Sequence, residues 1–239
     1  MSSQLGADLV ITAGDLTLNT SVQQHTLGAR STTGDGRIFR YAKAGAVDLV
    51  PGKLQQAPVE ITNHQNLTPA AAAIKATSVT VTLGATAVTA NQYAEGWLLV
   101  TVTPGQGYQY KIKSHPAAAL SASLVLTLED PIVVALTTSS RVDLILNPFS
   151  GVIVNPTTAT SSAVGVAVTA ITAAQFGWIQ TGGVATLLAD GALTVGVNVS
   201  ASNAIAGAVE AAVTAQSAIG TTVTGVADTE YGAVELSVE

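Results

Sequence analysis

The sequence predicts an all-β protein, and its composition, alternating patterns and turn residues all indicate this class. Hydrophobic residues make up 48% of the 239 residues, yet only 4% are aromatic and 10% are charged. The apolar content is mainly Ala and Val, and Thr and Ser supply much of the polar surface. β-Branched residues favour strands because their stiff side chains pack well on a pleated surface. We expect an extended N-terminal arm and a hairpin, followed by two small β-barrel or β-sandwich units.

Residues 1–26 are predicted to form the extended arm, because their apolar residues show no helical periodicity. Fixing about 20 residues costs roughly 1–2 kcal/mol each, or about 30 kcal/mol in all. At about 25 cal/mol per Å², this cost requires on the order of 1,200 Å² of apolar burial. We expect the arm to find that surface only on a neighbouring molecule. The predicted anchors are Leu9, Val10, Ile11, Leu16 and Leu18.

Residues 27–70 are predicted to contain a hairpin and then a long, extended connection. Gly34-Asp35-Gly36 is strong turn chemistry ahead of Ile38 and Phe39. The connection is rich in Pro and Gly and has few strand-like runs. Basic residues are concentrated in the hairpin, where we expect them to help position a protein partner. These residues are Arg30, Arg37, Arg40 and Lys43.

Residues 71–148 are predicted to form a middle β domain, and residues 149–239 a C-terminal one. In the middle region Val79, Val81 and Leu83 alternate with threonines, and later runs show the same period of two. Such alternation places one face of a strand on a core and the other in solvent. The last strand repeats it, with Val234 and Leu236 on one face.

One internal repeat links the two predicted domains. Residues 89–98, TANQYAEGWL, recur as TAAQFGWI at residues 172–179, two residues shorter. Both tryptophans of the chain, Trp97 and Trp178, lie in this context. The repeat indicates either two related β units or a shared turn motif.

The charges divide along the chain. Every Lys and Arg lies at or before Arg141, so residues 1–141 sum to +1 (9 minus 8) and the remainder to −7, for a total of −6. Opposite potentials steer and register protein interfaces, so this division favours head-to-tail contact between subunits. An ordinary solvated acidic surface is the alternative.

The sequence offers no recognisable enzyme motif, so we expect no catalytic residues, no metal and no cofactor. There are no cysteines for thiolate sites. The histidines His25, His64 and His115 lie in loop-like contexts, and His25 with His64 is the one pair that tertiary contacts would have to unite into a metal site. Glu129 and Asp130 are adjacent, so a strand would point them to opposite faces.

Nucleic acid and membrane are also disfavoured as partners. Five basic residues over 24 positions on an acidic chain make a poor phosphate footprint. No run approaches 18 consecutive apolar residues, so we expect no membrane helix, and the first residues lack the pattern of a secretion signal.

Several segments resemble virion structural proteins of tailed bacteriophages. They are residues 27–45, with LGAR, GDGRIFRYAKAG, and the C-terminal VGVA, QFGWIQ and YGAVEL, at residues 164–167, 175–180 and 231–236. The chain is similar to the β-barrel or β-tulip proteins that decorate and cement phage capsids. Many of those proteins are shorter single domains, so the middle domain is expected to be an addition.

The resemblance implies a structural role without catalytic residues. It implies location on the capsid surface of a virion, after synthesis in the host cytoplasm. The implied partners are the major capsid protein and further copies of this chain, as a homotrimer, with arms that clasp neighbouring subunits and stabilise the shell.

Three further interpretations remain open. One is a phage tail, adaptor or minor spike subunit. Another is an enzyme whose site forms only in three dimensions, with a buried carboxylate–histidine cluster in a cleft as its signature. The last is a carbohydrate-binding adhesin module with Trp97, Tyr108 or Tyr110 as the sugar platform. Tyr108 and Tyr110 share one strand face, which a β core favours as much as a sugar platform does.

Overall fold

A computed structural model shows an all-β protein, which confirms the predicted fold class. It describes residues 9–12, 14–213 and 216–238. Strand accounts for 42% and helix for 3%. None of the helical segments in these ranges is long and apolar enough to cross a bilayer.

The strands are numbered in chain order over the described residues. Two short 3₁₀ helices, Asp15–Thr17 and Thr62–His64, accompany them. The strands are β1 (Leu9–Val10), β2 (Arg30–Thr32), β3 (Ile38–Ala44), β4 (Leu54–Gln56), β5 (Thr68–Pro69), β6 (Ser78–Thr82), β7 (Trp97–Val102), β8 (Gln109–Ser114), β9 (Ser123–Leu128), β10 (Arg141–Ile145), β11 (Ser150–Val154), β12 (Ala163–Ala167), β13 (Phe176–Leu188), β14 (Asn198–Ala201), β15 (Val209–Ala211), β16 (Gly220–Thr222) and β17 (Tyr231–Ser237).

The chain divides into two compact units, and the division differs from the predicted domains. Unit 1 combines Met1–Val59 with Pro148–Glu239, and unit 2 is Glu60–Asn147. The predicted hairpin is present, with β2 antiparallel to β3. The predicted connection, however, contains β4, which pairs with β11 and β12 from the far end of the chain. Residues 27–59 therefore belong with the C-terminal part rather than to a separate linker.

Unit 1 contains a closed five-stranded barrel. Its strands follow the order β3, β11, β4, β12 and β13, and β13 returns to pair with β3. Small and branched side chains fill the interior, including Ala42, Val152 and Ile179. Because the ring is closed, these strands leave no free sheet edge around the barrel.

The long strand β13 continues from this barrel into a second group of strands in unit 1. Residues 182–188 of β13 pair with β17, which is followed in order by β16, β14 and β15. Alternate residues of this group, such as Leu187, Val199 and Leu236, form a separate apolar core. The predicted alternation of the last strand is confirmed, because Val234 and Leu236 are buried.

Unit 2 is a six-stranded sheet in the order β10, β7, β8, β9, β6 and β5. A bridge between Leu67 and Val142 joins its two edge strands. The first three strands, β5, β6 and β7, and the last three, β8, β9 and β10, have equivalent positions in this order. If each strand is replaced by its equivalent, every pair of neighbouring strands is still a pair of neighbours, so the topology has an internal twofold pattern. The predicted alternation holds here, since Val79, Val81 and Leu83 are all buried in one core.

A bridge–turn motif recurs in both units. In it, an apolar residue forms an isolated antiparallel bridge, a turn follows, and the next strand begins soon after. The bridges pair Leu49 with Ile171, Ala72 with Leu136, Val88 with Ala118, and Leu193 with Val226. Residues three positions after these bridge residues repeatedly have positive φ, as type II turns require. They are Gly52, Lys75, Asn91, Ser121, Ala174, Gly196 and Thr229.

The internal repeat of the sequence is this motif. Thr89 and Thr172 directly follow the bridge residues Val88 and Ile171. The repeat therefore reports a shared turn, and the two copies lie in different units.

Candidate protein-binding surface

Four aromatic side chains form a patch on the outside of the unit 1 barrel. Phe39 and Tyr41 come from β3, and Phe176 and Trp178 from β13. Alternation explains their position, because Ala42 and Ile179 of the same strands point into the barrel instead. Antiparallel pairing puts Tyr41 directly opposite Trp178. Tyr41 also stacks on Phe176, with ring centroids 6.0 Å apart.

The N-terminal segment, residues 9–12 and 14–27, covers this aromatic patch. Ile11, Leu16 and Leu27 are buried against the four rings. Burying an aliphatic side chain of this size is worth about 1.5–3 kcal/mol relative to leaving it exposed. The patch and the segment therefore form one apolar interface within unit 1.

Main-chain hydrogen bonds and polar contacts hold the same segment in place. Strand β1 pairs in parallel with β2, and Thr20 forms a bridge with Phe176 through two hydrogen bonds of 3.1 and 2.9 Å. The amide of Gln24 donates to the Tyr41 hydroxyl over 3.0 Å. The main-chain hydrogen bonds of this segment are thus made within the chain.

The predicted anchors separate into different environments. Leu9 and Val10 lie in β1, whereas Ile11 and Leu16 pack on the aromatic patch of the same chain. This differs from the expectation that the arm finds apolar surface only on a neighbour. The reason is that four aromatic residues distant in sequence assemble on one barrel face. Leu18 remains 56% exposed, and Val22 beside it on the segment is 65% exposed.

The predicted basic residues lie around the aromatic patch. The Arg37 guanidinium lies over Phe39 and the Lys43 ammonium over Phe176, each 5.4 Å from the ring centroid. Arg37 also pairs with Asp35 at 2.8 Å. Hydrogen bonds from Thr33 and Arg37 lower the pKa of Asp35 to about 2.

Arg30 and Arg40 are directly opposite in the β2–β3 ladder. Arg40 donates to the Gly28 carbonyl over 2.9 Å. Like charges placed opposite each other in a sheet are unfavourable on their own. Their pairing concentrates positive charge on the hairpin that borders the patch.

A cleft of about 220 Å³ opens beside the N-terminal segment, and Asp15, His25, Tyr41 and Trp178 contribute to its lining. The Asp15 carboxylate accepts hydrogen bonds from the amide and hydroxyl of Thr12. These bonds, with a smaller attraction from His25, lower the pKa of Asp15. The His25 ring packs on Tyr41 and Trp178, with centroids 5.1 and 5.4 Å away. His25 thus closes one side of the aromatic patch.

The proposed sugar platform in unit 2 offers one open ring. Tyr110 is buried, and its hydroxyl accepts a hydrogen bond from the Val133 amide. Tyr108 stacks on Tyr110 with nearly parallel rings and is 44% exposed. Trp97 is half-buried at the start of β7. Tyr108 is therefore the residue of the three that has substantial open surface.

The remaining candidates for chemistry are dispersed. His64 and His115 are buried in unit 2, whereas His25 lies in unit 1. Glu129 and Asp130 are exposed in the turn after β9. Among residues 9–12, 14–213 and 216–238, no group of three or more His, Asp or Glu side chains is placed to hold a metal ion.

The aromatic patch was not predicted as a site, although the composition held a signal for it. The chain has ten aromatic residues, 2 Trp, 5 Tyr and 3 Phe, and four of them lie in the patch. Two aromatic residues that are two positions apart, as Phe39 and Tyr41 or Phe176 and Trp178 are, lie on the same face of a strand. Only the register of β3 with β13 shows that the two pairs share one face of the sheet.

Comparisons with known proteins add no identification. No protein-family model matches the chain, and searches of the curated proteins and of the solved structures find no match.

Proposed function

We propose that this chain is a non-enzymatic structural protein of a tailed-phage virion, which binds the capsid surface and stabilises it by contacting neighbouring subunits. Its partners would be the major capsid protein and further copies of itself, as a homotrimer. The observation that carries the proposal is the N-terminal segment. It lies on the outside of a closed barrel and presents Leu18 and Val22 to its surroundings.

Three features of the segment support an adhesive role. Its two ends are fixed, by β1 on β2 and by Leu27 on the aromatic patch. The stretch between them exposes two large apolar side chains, Leu18 and Val22, that are available to a partner. The basic hairpin lies beside the same patch, where its charge would steer an acidic partner surface.

The acidic C-terminal residues supply a complementary surface within the same unit. Asp190 lies in the turn after β13 and Asp228 in the turn before β17, and the Asp228 carboxylate accepts the Gly191 amide over 2.7 Å. Glu230 is next to them in the turn before β17. Both charge signs are therefore displayed by unit 1, which supports head-to-tail contact between copies of the chain.

Particle binding by matched variants tests the proposal. Leu18→Ser combined with Val22→Ser alters exposed side chains, so the fold should persist, while sedimentation with phage shells that lack this protein should fall at least tenfold. Val47→Ser is the control, because Val47 is 67% exposed in unit 1 but lies outside the segment. Equal binding by all three proteins would refute the adhesive role of the segment.

Copy number separates the capsid role from its rivals. Quantitative mass spectrometry of purified particles should find hundreds of copies for a protein that covers the shell, and about a dozen would indicate a tail or adaptor subunit instead.

For the carbohydrate interpretation, a glycan array with wild type and Tyr108→Ala is decisive. Saturable binding that Tyr108→Ala abolishes would favour the adhesin module over the capsid role.

A further inference from the structure

A buried polar network joins three parts of unit 2. Tyr93 lies at its centre, on the connection between β6 and β7, and is fully buried. Its hydroxyl lies 2.6 Å from Nδ1 of His64, and its backbone amide donates to Nε2 of His115 over 2.9 Å. The two histidines come from the Thr62–His64 helix and from the residues just after β8.

The hydrogen bonds define the protonation of the His115 imidazole. Nδ1 of His115 donates to the Pro116 carbonyl over 2.8 Å, so its Nε2 is the unprotonated acceptor for the Tyr93 amide. Nε2 of His64 donates to the Thr86 carbonyl over 2.9 Å, and its Nδ1 shares a hydrogen bond with the Tyr93 hydroxyl. The His115 ring is thus neutral in this arrangement, and every ring nitrogen of both histidines has a partner.

A proton on His115 would break this arrangement. Protonated Nε2 would face the Tyr93 amide as a second donor, and the resulting cation would be buried without a carboxylate in hydrogen-bonding contact among its described partners. The charged residues on the segments around the network are Glu60, whose charge acts on Tyr93, Glu95 on the β6–β7 connection, and Lys111 and the exposed Lys113 on β8. Burial, and then Glu60, raise the pKa of Tyr93, so the phenol stays protonated.

We propose that Tyr93, His64 and His115 form an acid-sensitive latch in unit 2. At neutral pH the latch holds the β6–β7 connection, residues 83–96, against the residues that follow β8. In mild acid, protonation of His115 releases that connection. This goes beyond the proposed function, because the latch lies in unit 2 whereas the adhesive segment lies in unit 1.

The direction of the pH effect follows from burial. Burial lowers the pKa of His115 from its ordinary 6.5, with a smaller opposing effect of the Pro116 carbonyl. Between that value and the lower folded-state pKa, the unfolded chain binds more protons than the folded chain. The latch is therefore fully stable above about pH 6.5 and loses stability as the pH falls below it.

Hydrogen exchange on the full chain tests the latch. In the wild type, protection of the Tyr93 amide, corrected for intrinsic exchange, should fall at least tenfold between pH 7.5 and pH 5. His115→Gln keeps an acceptor for Tyr93 and a donor for Pro116 without a titrating ring, so its protection should be the same at both pH values. His25→Gln in unit 1 is the control and should retain the wild-type pH dependence.

Two outcomes would overturn the latch. One is wild-type protection that does not change with pH, and the other is a His115→Gln chain that keeps the full pH dependence. If that variant fails to fold, NMR titration of the wild-type imidazoles replaces it. Protonation of His115 Nε2 and loss of Tyr93 protection should then share one midpoint, and separate midpoints would refute the proposal.

Discussion

The two units place their aromatic residues in opposite ways. In unit 1 the rings of Phe39, Tyr41, Phe176 and Trp178 lie outside a closed barrel, under the N-terminal segment. In unit 2 Tyr93 lies inside the core, hydrogen-bonded to two histidines. The N-terminal segment covers the aromatic patch of unit 1 from outside the barrel. The Tyr93 ring of unit 2 is enclosed by the core that its six-stranded sheet forms.

This difference shows which kind of contact dominates at the aromatic rings of each unit. On the aromatic patch, non-directional apolar contacts join the N-terminal segment to the barrel, beside the hydrogen bonds of β1 and Thr20. Buried hydrogen bonds are directional, and one lost partner leaves a polar group unsatisfied at the full desolvation cost. Under the two proposals above, unit 1 would respond to contacts with other molecules and unit 2 to protonation.

The largest expected effect is at Trp178. Trp178→Ala removes the ring opposite Tyr41 and should cost about 3–5 kcal/mol of unit 1 stability, because a large cavity remains beneath the N-terminal segment. Urea unfolding followed by circular dichroism measures the loss. Trp97→Ala is the matched variant in unit 2 and should cost less, because Trp97 is only half-buried. Equal losses would contradict the central position of Trp178 in the patch.

The next effect separates the anchors of the N-terminal segment. Leu16→Ala should cost about 2–3 kcal/mol of local stability, since Leu16 is buried on the patch. Its readout is faster proteolysis within the segment. Leu18→Ala, two residues away, should change that rate by less than twofold because Leu18 is largely exposed. Proteolysis that is equally fast in both variants would show that the segment is not held by Leu16.

Local pattern was sufficient to predict several strands. The alternation of Val79, Val81 and Leu83 matches the buried face of β6 and its continuation. Gly34-Asp35-Gly36 marked the turn between β2 and β3. In both cases the residues that determine the strand or turn are only a few positions apart, so the local sequence pattern is enough to predict it.

Local sequence patterns could not predict which strands pair when they are far apart in the chain. Gln55 of β4 pairs with Val154 of β11, almost a hundred residues later, with the whole of unit 2 between them. Nothing near Gln55 signals that partner, so residues 44–70 read as a connection. The candidate surface shows the same limit. Ile11 and Leu16 were predicted as anchors on a neighbouring molecule, whereas they pack on aromatic residues of the same chain, and finding those residues required the register of β3 with β13.

A smaller effect is expected at the centre of unit 2. Tyr93→Phe keeps the buried ring but removes the hydroxyl that binds His64, and should cost about 1–3 kcal/mol by leaving Nδ1 of His64 unsatisfied. Thermal unfolding at pH 7.5 measures it. Tyr110→Phe is the control in the same unit, because its hydroxyl accepts one backbone amide near the surface. A neutral Tyr93→Phe would show that the hydroxyl is not part of the network.

The smallest effect tests the bridge–turn motif, and it has the opposite sign. Ala174 has a φ of 61° at the third position after Ile171, where a Cβ is unfavourable. Ala174→Gly should therefore stabilise unit 1 by about 0.5–1 kcal/mol, measured as a higher urea midpoint. Ala173→Gly is the matched control in the same turn, since Ala173 is not among the positive-φ residues, and it should destabilise by a similar amount. If both variants were destabilised, the left-handed turn would not be the conformation that this motif adopts in solution.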